Sequence, residues 1–147
     1  MSSEKATELF EGRKCSCSQA IFSAYNETLG LDSIDNDTCL KLSSAFCGGL
    51  ANTGNICGAL SGGLMILGLK YGCVKEDASI EEGMKAIEVG RQLIDEFTKI
   101  HGTTLCKDLI NHDLNTPEDI QDAFAKGSFN NCTTFVKDTG TILDTLL

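Results

Sequence analysis

The sequence predicts an all-α fold, a single-domain helical bundle of about six to eight helices, because apolar residues recur at helical spacing almost throughout the chain. Two further observations agree: no stretch sustains the apolar–polar alternation of a half-buried strand, and the chain holds a single proline. Glycine closes one periodic run after another, as helix ends require.

The first helix is expected over Ser3 to Gly12, with Leu9 and Phe10 facing inward, followed by a short connection carrying Cys15 and Cys17. The second, Ser18 to Leu29, places Ala20, Ile21, Ala24, Tyr25 and Leu29 on one face and stops at Gly30. Asn36 or Asp37 can cap a third, which runs through Cys39, Leu40, Leu42 and Ala45 to Phe46. The fourth, from Ile56 or Cys57 to Tyr71, is the most apolar and has Gly72 as a left-handed terminator, making it a glycine-rich buried central helix. Ser79 and Glu82 form a capping box for the longest helix, which carries Ile87, Leu93, Ile94, Phe97 and Ile100 and ends at Gly102. A brief helix spans Thr104 to Ile110 and contains Cys106. Thr116-Pro117-Glu118-Asp119 opens another that ends near Gly127. Asn131 is placed to cap the last, which Cys132 enters.

The 147 residues fit one domain, 1–147, with no repeat, low-complexity tract or long linker. That length buries a core without cross-links, so the eight cysteines are not needed as staples. The polar start, Met1-Ser2-Ser3-Glu4-Lys5, lacks the apolar stretch of a secretory signal. A cytoplasmic protein with thiols reduced or metal-bound is the expectation. Seven glycines with Asn52, Thr53 and Asn55 break the uncharged run from Ser43 to Leu69, and Ile56 to Leu69 falls short of the roughly 20 residues a bilayer needs, so no membrane insertion is expected. A formal net charge of −9 argues against nucleic acid or an anionic membrane surface as a partner.

Cysteine carries the chemistry. Cys17, Cys57, Cys106 and Cys132 all fall in or beside the first turn of an expected helix. Helix starts offer unpaired amides and partial positive charge, which favour thiolate, so four such starts converging would suit a metal centre or a reactive thiol pair. Cys39, Cys47 and Cys73 read more simply as packing, since free cysteine behaves as a small hydrophobe. Cys15-Ser16-Cys17 puts two thiols close enough to exchange partners. Neither the paired Cys-x-x-Cys spacing of zinc modules nor the close cysteine run of ferredoxins is present.

Gly54, Gly58 and Gly62 recur every four residues, followed by Gly63, and leave one face nearly bare for the close approach of a helix or a cofactor. That face would also serve as a homodimer contact. The glycines lack the Gly-Lys-Ser/Thr ending of a phosphate loop. His101 and His112, the two histidines, read as surface residues able to act as thiolate partners or ligands. Asp95-Glu96 and Glu118-Asp119 read as solvated faces or caps, and nothing points to a hydrolase.

Cys57-Gly58-Ala59-Leu60-Ser61-Gly62 resembles the Cys-Gly-Ala-x-x-Gly motif of the redox-active proteins named for their C_GCAxxG_C_C pattern. The resemblance covers most of the chain: Cys17 in Cys-Ser-Gln-Ala, Cys57 in the motif, Cys106 and Cys132 by order, with support from Leu67-Gly68-Leu69-Lys70-Tyr71-Gly72. Cys15, Cys39, Cys47 and Cys73 exceed the family's four. That family is also similar to a domain of split-Soret cytochrome c, where an iron–sulfur cluster accompanies the haems; haem is not implied for this chain, which lacks Cys-x-x-Cys-His. The resemblance implies redox activity, with Cys17, Cys57, Cys106 and Cys132 as cluster ligands, Gly58 and Gly62 beside them, and a redox partner protein. Thiol–disulfide exchange with Cys57 as the attacking thiolate is the alternative, and a zinc-stabilised interaction module a third.

Overall fold

The computed structural model describes residues 2–30 and 34–147. Among them it is all-helical: α1 (Ser2–Glu11), α2 (Cys17–Thr28), α3 (Asn36–Ser43), a 3₁₀ turn (Ser44–Phe46), α4 (Gly58–Tyr71), α5 (Ile80–His101), α6 (Cys106–Leu109), α7 (Pro117–Ala125) and α8 (Cys132–Leu146). No helix among the described residues is long and apolar enough to cross a membrane.

Local signals explain the ends. Ser79 Oγ accepts from the Glu82 amide at 3.1 Å, and Gly102 closes α5 in the left-handed region at φ 79°. Thr116 Oγ1 accepts from the Asp119 amide at 3.1 Å, with Pro117 filling a first-turn position that needs no donor. Asp35, one residue before the two expected caps, starts α3 by accepting from the Thr38 amide at 2.9 Å. Gly72 does not terminate α4 through a left-handed φ. Its backbone is extended (φ −62°, ψ 143°), and glycine is required there because a Cβ would collide with the Gly68 carbonyl.

The core forms around α4. Leu60, Ile66 and Leu67 meet Ile21, Phe22 and Tyr25 of α2, Leu93 and Phe97 of α5, and Val136 and Leu143 of α8. Gly62 brings α4 against α2: a Cβ there would lie 2.7 Å from the Ser18 carbonyl oxygen and 3.1 Å from Ile21 Cβ. The bare face is therefore shared between a helix contact at Gly62 and, one turn earlier at Gly58, the thiol of Cys17. Along α5 the buried stripe is Val89, Gly90, Leu93 and Phe97. Ile87 and Ile100, which the same helix carries, are 61% and 57% exposed.

Tyr25 pins α8 over α2. Its hydroxyl lies 2.6 Å from the Gly140 carbonyl oxygen and 2.7 Å from Asp144 Oδ1, while Ser3 of α1 donates to Asp144 Oδ2 at 2.6 Å. Three helices thus share one buried polar cluster.

Candidate functional site

Four helix starts face a cavity of about 680 Å³, the size of an ordinary cofactor site. Cys17 is the first residue of α2, Cys57 the N-cap of α4, Cys106 the first residue of α6 and Cys132 the first residue of α8. All four line the cavity, so the structure brings together residues spread across the chain. Each of the six pairs among them is close enough that one thiolate would raise the other's pKa. Gly58 also lines the cavity, whereas Gly62 is not among its lining residues.

The segments that carry these thiols are fixed by backbone geometry. Residues 48–52 form a left-handed turn, with φ of 63°, 71°, 65°, 52° and 58°. Leu50, Ala51 and Asn52 hold that conformation at a cost of about 1–2 kcal/mol per residue. The turn is closed by the Asn52 amide donating to the Cys47 carbonyl (3.1 Å) and the Gly54 amide to that of Gly48 (3.0 Å). It hands the chain to Ile56, which pairs with Leu105 in an antiparallel bridge. The Cys106 amide donates to the Asn55 carbonyl at 2.6 Å and the Cys57 amide to that of Thr104 at 2.8 Å. At α2, Gln19 accepts from the Ser16 amide (3.0 Å) and donates to the Leu40 carbonyl (2.9 Å), and Ser18 donates to that of Ser43 (2.8 Å). The Cys-Ser-Gln-Ala segment is thereby tied to α3.

Burial governs the electrostatics. It pushes the Cys57 thiol up to about 12, although the Ala59 and Leu60 amides at the helix start pull the other way. Burial raises Cys106 to about 11 and Cys132 to about 12, with neighbouring thiolates adding to the rise. Cys17 is also raised strongly by burial and then by Cys57 and Cys47, while the Gly48 amide opposes the shift. The expectation that a helix start alone holds Cys57 as a thiolate is thus corrected: desolvation outweighs the amides. Deprotonated together, the four would repel one another.

Cys47 was read from sequence as packing, yet it lines the same cavity. It lies near enough to raise Cys17 and Cys106. The available signal was its place directly before Gly48-Gly49. Cys15 also lines the cavity, half-buried. Cys39 is fully buried in the core, as packing requires, while Cys73, expected to pack, is exposed.

Neither histidine joins the cavity lining. His101 is no surface residue: it sits between Phe97 and Phe135, with ring centroids 4.6 and 5.0 Å away, and Nε2 lies 2.9 Å from Asp138 Oδ2, close enough to pair but not aligned as a hydrogen bond. His112 pairs with Asp122 at 2.8 Å, which raises its pKa. Aromatic and aliphatic side chains, among them Phe10, Ile110, Phe129 and Phe135, form the remaining walls. Phe124, 68% exposed, stands at the edge against Phe129. Among the described residues, no three His, Cys, Asp or Glu side chains are gathered so as to hold a metal ion.

A helical bundle with a cavity walled by thiols from separate helix starts defines a small cysteine-based protein. The chain belongs to the family of putative redox-active proteins with the C_GCAxxG_C_C pattern, whose model matches residues 15–146. No curated protein and no solved structure matches it.

Proposed function

We propose that Cys17, Cys57, Cys106 and Cys132 hold an iron–sulfur cluster used for electron transfer or redox sensing. The observation that carries this reading is their placement: four helix-start cysteines line one cavity, and every pair among them is in electrostatic reach. Thiolates are the usual protein ligands of such clusters, and burial plus mutual repulsion make these thiolates costly without bound cations. A cluster of several irons would take its thiolates from around its periphery, which suits side chains that surround a space. Gly58 leaves the wall open beside Cys17, where any side chain would intrude.

When bound, the cluster would supply a one-electron site. The chain's own contribution is the apolar wall, which limits water, and the amides of Ala59 and Leu60 beside Cys57, which offset anionic charge and raise the potential. Exchange of electrons then implies a redox partner protein. Cys57 as a free attacking thiolate is less well supported, because burial keeps it protonated.

Anaerobic purification or reconstitution tests the reading. Iron and acid-labile sulfide in equal, stoichiometric amounts, with visible absorption lost in Cys57→Ser and kept in Cys39→Ser, are expected. A colourless protein that takes up neither iron nor sulfide would overturn it.

A further inference from the structure

The cavity holds a thiol pair that joins one member of the four-cysteine set, Cys17, to Cys47 outside it. A Cβ placed on Gly58 would run into Cys17 Sγ and stand 3.1 Å from Cys47 Cα, so the two cysteines flank the same missing side chain. Both line the cavity and both are half-buried, whereas Cys57 and Cys106 are 6% and 7% exposed. The Cys47 thiol donates a weak hydrogen bond to the Ser44 carbonyl at 3.6 Å, a contact easily released.

We propose that Cys17 and Cys47 are a dithiol–disulfide pair that reacts with low-molecular-weight disulfides entering the cavity. Cys47 attacks one sulfur of the reagent, forming a mixed disulfide and expelling one thiolate. Cys17 then attacks the Cys47 sulfur, closing the intrachain bond and expelling the second thiolate. Two protons leave the protein thiols, and two electrons pass to the reagent, which ends as two thiols. Excess small thiol reverses both steps. Cys47, held only by its weak contact to the Ser44 carbonyl, makes the first attack. The bond removes Cys17 from the four-thiol set, so the oxidised chain has only three of those ligands. This inference stands on the Cys17–Cys47 placement and does not depend on which group the four thiols bind.

The test treats the reduced full-length chain, as purified and after iron removal by a chelator, with oxidised glutathione, followed by acid quench, alkylation and tandem mass spectrometry. Loss of two thiols per chain and fragment ions linking residues 17 and 47 are expected in at least one of the two preparations. Cys15→Ser should form the same link. Cys17→Ser, with helical circular dichroism unchanged, should instead retain a mixed disulfide with glutathione at residue 47, and Cys47→Ser should form neither that adduct nor a link at residue 17. A link between any other pair, or wild-type protein carrying only mixed disulfides or unmodified thiols in both preparations, overturns the proposal. Iron content measured on the same samples is independent of this result.

Discussion

Ile56 pairs with Leu105 in an antiparallel bridge, and the residue after each is a cysteine of the site. The bridge is two residues long in effect, yet it joins a strained turn to a one-turn helix and sets Cys57 beside Cys106 through two backbone hydrogen bonds of 2.8 and 2.6 Å. A helix of four residues has little stability of its own. Its docking on residues 54–57 is what makes α6 a support for a thiol.

Within α4, two glycines should respond in opposite ways to alanine. Gly58→Ala presses a methyl group onto Cys17 Sγ and the Phe46 carbonyl, and overpacking of this kind costs about 1–3 kcal/mol. Gly68→Ala meets no atom within 4 Å, so it should gain about 1 kcal/mol from helix propensity. Urea midpoints of the two variants, compared with wild type, check the contrast.

Ala51 has φ 52°, so Ala51→Gly should stabilise the chain or leave it unchanged, by up to about 1 kcal/mol, although this exchange normally destabilises. Equilibrium unfolding decides it. A loss of more than 1 kcal/mol would show that the left-handed turn is not under the strain described.

Alkaline pH should destabilise the reduced, metal-free protein. Free thiols titrate near the ordinary 9.0, whereas the folded thiols of Cys57 and Cys132 hold their protons to about 12 and that of Cys106 to about 11. Unfolding therefore releases protons in this window, so the stabilisation is complete below pH 9 and lost as pH rises through 11 to 12. Denaturant midpoints from pH 7.5 upward should fall, and the fall should flatten when these three cysteines are replaced by alanine.

Tyr25→Phe should cost about 1–3 kcal/mol, because it leaves the Gly140 carbonyl and a carboxylate oxygen of Asp144 without the phenolic donor in a buried setting. Its iron uptake should match wild type, since Tyr25 is not part of the cavity wall. Unfolding and metal analysis of the same preparation separate the two effects.

Most of this organisation was legible in the residues. Ser79 with Glu82 and Thr116-Pro117 with Asp119 are local signals, and local hydrogen bonds realise them. The same logic placed Cys17, Cys57, Cys106 and Cys132 at helix starts, from which convergence in a bundle was a fair inference. Three things escaped because they are tertiary. Leu50, Ala51 and Asn52 carry no code for a left-handed turn; the closure between residues 45–49 and 51–55 imposes it. Cys47 belongs to the cavity because the 3₁₀ turn just before it packs on α2 and α4. Desolvation of Cys57 depends on α2, α6 and α8 closing over it, which no first-turn rule contains.

The order of the four helix starts along the chain bears on how the protein is made. In chain order residue 17 comes first, then 57, then 106, and 132 last. α8 both delivers the last of these thiols and packs along α1 through Ser3 and Asp144. The nascent chain thus carries its first three site cysteines without the wall that encloses them. Until α8 docks, Cys17, Cys57 and Cys106 lack part of the wall that encloses them, so their thiols are most open to oxidants before the fold is complete.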